Sequence, residues 1–300
     1  MSEASRQRLA TIADDPACDL AEAALLCCVE VQPELDVAAG LRRIDVLADG
    51  LRATGFRPES RYAPDGRGGS AQAATSDALA LAGWLAGELG FSGDPTGPHD
   101  PRNGLLTAVL DRRRGWSITL AIVYIAVARR LSLRAFGVDA PSPLLVGVGG
   151  GASEDPATRP AVVDPFHAGA LLDDRMIAAR VHEATDGQVD YAPGMLRPVR
   201  PLVVIRRLLN DLTRAYLAQA DLRSALWTVE LRRRLPGSGP SDVRTAGQLL
   251  ARLGRYRQSA ETLEAYLSAV GGDPEVAAQA GGPELAAMAR IARRARAKMN

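Results

Sequence analysis

Lysine is nearly missing from this 300-residue chain: Lys298 stands alone beside 35 arginines. With 36 basic against 35 acidic side chains the net charge is +1, which excludes wrapping of nucleic acid through bulk charge. The preference for arginine reads as the codon usage of a GC-rich genome. Cysteine is scarce too. Cys18, Cys27 and Cys28 are too few and too poorly spaced for a disulfide framework, and no CxxC or Cys/His cluster suggests zinc. They read as buried, reduced thiols. Long apolar runs are absent: the longest, Ile118 to Ala128, covers about 11 residues, short of the ~18 that span a bilayer. The opening MSEASRQRLATIADDPACDL has no apolar stretch behind a basic end, which argues against a secretory signal. These absences place the chain in the cytoplasm, away from membranes. There is no GK[ST] phosphate loop, HExxH, GxSxG or paired-carboxylate motif, and Gly149-Gly150-Gly151 reads as a turn between strands. Nothing in the sequence implies a cofactor or a metal.

What is present belongs to a globular protein: 47% hydrophobic and 24% charged residues, at a length suited to about two domains. Residues 5–55 alternate at helical spacing, with a stripe of Leu41, Ile44, Leu47 and Leu51 punctuated by Gly40 and Gly50 and closed by Gly55. Pro58–Ser70 and Ser92–Asn103 read as loops, flanking a helix over 77–89 stopped by Gly90. A short helix over 105–114 ends at Gly115. SITLAIVYIAVARRLS then follows, apolar on every side until Arg129, so it is expected to be a helix buried in a domain centre and capped by Ser117 or Thr119. The β-prone runs 133–139, 143–149 and 161–166 come next, as in a small antiparallel sheet.

The remainder is helical and repetitive. YLAQADLRSA (216–225) matches LLARLGRYRQSA (249–260) at a shift of 34 residues, which sets Ala220 on Gly254, Leu222 on Tyr256 and Ala225 on Ser259. That shift is the tetratricopeptide period. The expected fold is α+β and mostly helical, with a helical region over 1–100, a core over 101–196 and tetratricopeptide-like repeats over 197–300.

Chemical candidates are few. Ser117 begins the buried helix, where the dipole favours a nucleophile's anion, but a serine needs a base beside it. Asp164 in VVDPF has the look of an orienting carboxylate and His167 lies three residues on, while His99 and His182 sit in polar contexts that suit solvated side chains.

The segment NGLLTAVLDRRRGWSITLAIVYIAVARRLSLRAFGVDAPSPLLV, followed by VVDPF, resembles the transglutaminase-like (papain-type) core of the bacterial SirB-type family. PELDVAAGLRRIDVLADGLR (33–52), ELGFSG (88–93), DPRN (100–103) and RRLLNDLTRAYLAQADLRSAL (206–226) resemble other parts of that family in the same order. The resemblance implies a helical N-terminal region, the core and C-terminal tetratricopeptide repeats. It also implies where a Cys-His-Asp triad would stand: the cysteine position falls at Ser117, the histidine position at Pro143, and only Asp164 matches. Proline cannot act as a base.

Two functions follow as expectations. The first is a non-catalytic protein acting through protein–protein contacts, its repeats taking up a protein or peptide partner. The second is an enzyme of altered chemistry, of acyl-transfer, hydrolase or cyclase type, using Ser117 or Thr119 with Asp164 and His167. On that second reading Asp164→Ala or His167→Ala abolishes activity in a folded protein. Nucleic acid ranks below both: ARIARRARAKMN (289–300) has five basic residues and no acid, but reads as a solvated helix face. The neutral total hides a split. Residues 1–196 hold 18 basic and 26 acidic side chains, a charge of −8; residues 197–300 hold 18 and 9, a charge of +9. The basic half therefore suits an acidic partner or the acidic half of the chain itself.

Overall fold

The structure, a computed structural model, describes residues 3–60, 70–138, 140–141, 143–150, 156–271 and 282–299. It divides into two compact units, Asp15–Leu208 and Ser2–Asp14 with Leu209–Asn300.

In the first unit, aspartate and serine caps set the helix starts. Asp19 accepts from Ala21 N–H to begin α2 (Leu20–Cys28), Asp36 from Ala39 N–H to begin α3 (Val37–Ala53), and Ser70 from Ala73 N–H to begin α4 (Ala71–Ala82). The helix expected over 77–89 thus starts earlier, and it runs on into a π-helical turn over Gly83–Glu88. Gly40 and Gly50 do not interrupt α3. They are notches: a Cβ at Gly40 would lie 2.8 Å from the Leu25 side chain, and one at Gly50 2.4 Å from the Trp84 ring. The buried stripe of α3 is accordingly Gly40, Ile44, Ala48 and Leu51. Cys18, Cys27 and Cys28 are buried and free; burial pushes the Cys18 thiol up to about 11.

After α5 (Leu106–Arg112) the chain turns at Arg113, whose φ is 57°, not at Gly115. Gly115 lies in the two-residue strand β2 (Arg114–Gly115), paired in parallel with β1 (Ser92–Gly93) inside the stretch expected to be loop. α6 (Ser117–Arg130) is buried at every position from Ile118 to Ala128. Its N-cap is Trp116 and no side chain caps it, so neither Ser117 nor Thr119 has that role. Instead the Trp116 N–H donates to the Asn103 carbonyl at 3.0 Å.

The sheet is an antiparallel meander of β3 (Ala135–Gly137), β4 (Val146–Val148), β5 (Ala161–Asp164) and β6 (Ala170–Leu172). Three of these strands lie within the β-prone runs; β6 was not anticipated. α4 and α6 pack on the sheet, and α7 (Asp174–Ala184) adds Ile177 and Val181 to a core with Phe136, Val138, Leu145, Val162 and Leu172. Asp164 follows Val162 on the same side of β5, because side chains two apart on a strand share a face.

α8 (Pro201–Ala218) crosses the division between units. The second unit contains α1 (Glu3–Ala13), α9 (Leu222–Arg234), α10 (Pro240–Arg252), α11 (Tyr256–Gly271) and α12 (Gly282–Ala297). Val243, Leu263, Met288 and Ala292 form its core, and a buried Arg232–Asp242 ion pair of 2.6 Å ties α9 to α10. The 34-residue shift has a structural counterpart. Ala220 and Gly254 both adopt left-handed backbone, with φ of 58° and 74°, and the turn bonds Asp221 N–H to Tyr216 O and Arg255 N–H to Leu250 O are equivalent.

Candidate functional site

The site forms where β5 runs into its turn. Asp164 is 2% exposed, and its carboxylate is saturated. Oδ1 accepts the backbone N–H groups of Phe166 (3.0 Å) and His167 (3.3 Å). Oδ2 accepts His167 Nδ1 (2.8 Å), Arg180 Nε (3.0 Å) and Arg180 Nη2 (2.6 Å). A buried carboxylate is tolerable only with such compensation. His167 therefore carries its proton on Nδ1 toward Asp164, while the side chain is 61% exposed and Nε2 has no partner among the described residues. The hairpin closes through Ala168 and Gly169, both left-handed, with Gly169 N–H returning to the Asp164 carbonyl at 2.9 Å.

Beneath this turn lies Tyr124 of α6, fully buried, whose hydroxyl has no hydrogen-bond partner among the described residues. Burial first and the nearby Asp164 charge second push that phenol far above its usual range. A Cβ at Gly169 would stand 2.9 Å from the Tyr124 hydroxyl and 2.8 Å from Ala82 Cβ, so this close approach requires glycine. Tyr124→Phe is expected to leave stability unchanged or raise it by up to about 1 kcal/mol, since it removes an unpaired polar atom and keeps the ring. A urea-denaturation midpoint lowered by the variant would show that the hydroxyl has a partner after all.

Of the three sequence candidates, Asp164 and His167 are hydrogen-bonded to each other and His167 borders Arg180 (3.4 Å); among the described residues Ser117 makes no hydrogen bond to either. Thr119, fully buried, has a hydroxyl without a partner among the described residues. Backbone contacts nonetheless link the two regions. Gly93 N–H donates to the Phe166 carbonyl at 2.8 Å, and Gly93 pairs with Gly115, two residues before Ser117. Pro143 is exposed before β4; Ser142 and Gly151 lie outside the described residues. His99 and His182 are exposed.

Sequence reasoning missed two groups. Arg180 shares Asp164 with His167, and no local motif marks it because it arrives from α7. The other group centres on Asn103, whose side chain donates to Asp94 Oδ2 (3.0 Å) and the Gly97 carbonyl (2.9 Å) and accepts from Arg112 Nη1 (3.0 Å). Together with its backbone bond to Trp116, it sets where α6 begins. Asp94 also takes Thr96 and Gly97 donors, and the Thr96 hydroxyl first, then Asn103, hold its carboxyl down at about 2. The DPRN motif contained this residue without indicating its role. Among the described residues no group of three His, Cys, Asp or Glu could hold a metal ion, and no helix is long and apolar enough to cross a membrane.

The sequence matches the transglutaminase-like superfamily model over residues 39–210. The chain belongs to that superfamily. It is 30% identical to a UPF0162 protein of Pseudomonas aeruginosa over 241 residues, covering 80% of this chain and 78% of that protein. It is 31% identical to a UPF0162 protein of Xylella fastidiosa over 187 residues, 61% of this chain, but spans only 64% of that relative's length. A UPF0162 protein of Vibrio cholerae is 23% identical over 187 residues. No solved structure matches the chain. Asp164 ends β5, and its carboxylate is bound to Arg180 and to its own turn.

Proposed function

We propose that this chain is a non-catalytic member of the superfamily, of SirB type, which works through protein contacts. The observation that carries the reading is the saturation of Asp164. An orienting carboxylate serves catalysis by holding a base against a nucleophile; here it holds a histidine from its own turn and an arginine, with Ser117 outside the network. The C-terminal helices are read as tetratricopeptide-like, supported by the equivalent turns at Ala220 and Gly254. Their partner is acidic. Arg290, Arg293 and Arg294 of α12 are exposed and make no ion pair among the described residues, whereas Arg296 pairs with Glu264 at 2.6 Å.

The test compares variants in the source cell. Ser117→Ala and His167→Ala are expected to leave the phenotype intact. Arg290→Glu/Arg293→Glu/Arg294→Glu is expected to lose both the phenotype and the protein that co-purifies with the unaltered chain. A phenotype lost in Ser117→Ala or His167→Ala, with melting temperature preserved, refutes the reading.

One observation favours an enzyme of altered chemistry. The 2.8 Å Asp164–His167 contact leaves an exposed imidazole whose Nε2 can take a proton. On that reading His167→Ala alone removes an activity that Ser117→Ala retains, with water as the attacking group.

A further inference from the structure

The exposed arginines of α12 have neighbours of the same sign on another element of the second unit. Arg252 ends α10, and Arg255 and Arg257 flank the first residue of α11. These three are exposed, and like Arg290, Arg293 and Arg294 they make no ion pair or side-chain hydrogen bond among the described residues. The two groups adjoin. The Lys298 ammonium lies 5.8 Å from the centre of the Tyr256 ring, which brings the last turn of α12 to the turn between α10 and α11.

The carboxylates of the surrounding helices are committed elsewhere. Glu230 pairs with Arg233, Asp242 with Arg232, Glu264 with Arg296 and Glu284 with Arg244, while Asp221 caps α9. Glu261 acts on Arg296, and Asp273 and Glu275 lie outside the described residues. The unit also has little apolar surface to offer: among its described residues Met299 is the only large apolar side chain that is exposed. Folded partners bind through a buried apolar centre with a polar rim, and this face has no such centre. Its affinity comes from charge. The spacing suits an extended chain. Arg290, Arg294 and Lys298 are four apart on α12, a step of about 6 Å along the axis. In an extended segment the side chains on one side recur about every 6.6 Å.

We propose that this face binds an extended acidic segment of a partner protein, with carboxylates at alternate positions running along α12 and ending at Arg252, Arg255 and Arg257. The proposal rests on the acidic-partner reading above; it adds the α10–α11 turn to the surface and states the form of the partner.

Binding to the full chain is followed by fluorescence anisotropy with three labelled probes. These are a Glu-Ser repeat peptide, the same peptide with some serines replaced by leucine, and a thymidine oligonucleotide of equal charge. The Glu-Ser peptide is expected to bind, and to weaken at least about ten-fold as salt rises from about 0.05 to about 0.2 M. The leucines are expected to change affinity by less than about two-fold, since no apolar centre receives them. Arg252→Gln/Arg255→Gln/Arg257→Gln and Arg290→Gln/Arg293→Gln/Arg294→Gln are each expected to weaken the peptide by about ten-fold. Unchanged affinity in the first triple variant with loss in the second overturns the extended surface and leaves the acidic-partner reading standing. Unchanged affinity in both, or no binding of the Glu-Ser peptide, overturns the proposal. So does an oligonucleotide that binds more tightly than the peptide, which assigns the face to nucleic acid, or a leucine peptide that binds ten-fold more tightly. The salt and probe comparisons use the unaltered protein and decide the matter even if an arginine variant fails to fold.

Discussion

Asp164→Ala will unfold more readily than the parent by about 3 kcal/mol, seen as a drop of roughly 10 °C in melting temperature for a unit of this size. The carboxylate is 2% exposed and compensates five donors, two of them on Arg180. Removing it leaves a half-buried guanidinium and two turn N–H groups without acceptors, and breaking such a network from one side costs more than the intact network contributes. The sequence-based expectation is that Asp164→Ala stops an activity in a folded protein; the five-donor network makes a destabilised protein the expected outcome of that substitution. Loss of activity in that variant would carry no information about catalysis. His167→Ala is the informative substitution, because its ring is largely solvated and its removal leaves Arg180 on Asp164. A melting temperature for Asp164→Ala within 2 °C of the parent would contradict the assigned network.

Asn103→Ala is the second large effect, about 2 kcal/mol by urea denaturation. Its amide is fully buried and is the junction of Asp94, Gly97 and Arg112. The alanine leaves the Gly97 carbonyl and Arg112 short of a partner inside the loop that holds the start of α6. The acid limb of stability provides an independent check. Asp94 has a folded-state pKa of about 2, below the ordinary 3.8, so its contribution is complete above about pH 4 and is lost as pH falls toward 2. In Asn103→Ala that limb flattens, since one of the donors holding the carboxyl down is gone. An unchanged acid limb would mean that Asn103 does not act through Asp94.

How much could be read beforehand differs by element. α6 was legible because eleven consecutive apolar residues have one physical solution, burial on all sides. Strands β3, β4 and β5 were legible from β-branched and aromatic runs bounded by glycine and proline. β6, Ala170–Leu172, was not, because three residues carry no period and its pairing with β5 is created by the tight turn at Ala168 and Gly169. Gly40 and Gly50 looked like interruptions because sequence alone cannot distinguish a break from a notch. Leu25 and Trp84, distant in the chain, make them notches.

The site followed the same division. Asp164 and His167 stood out because they are three residues apart, and a contact at that separation is local geometry. Arg180 and Tyr124 were invisible: one comes from α7 and the other from α6, and each matters only because the sheet brings it to the Asp164 turn.

By itself the sequence determined the α+β class, the buried central helix and the helical C-terminal portion, since each depends on residue identity or local period. Tertiary structure decided which partners Asp164 holds and where α6 begins. Those outcomes depend on contacts between residues far apart in the chain, and the free energy of a buried charge is set by which partners the fold delivers.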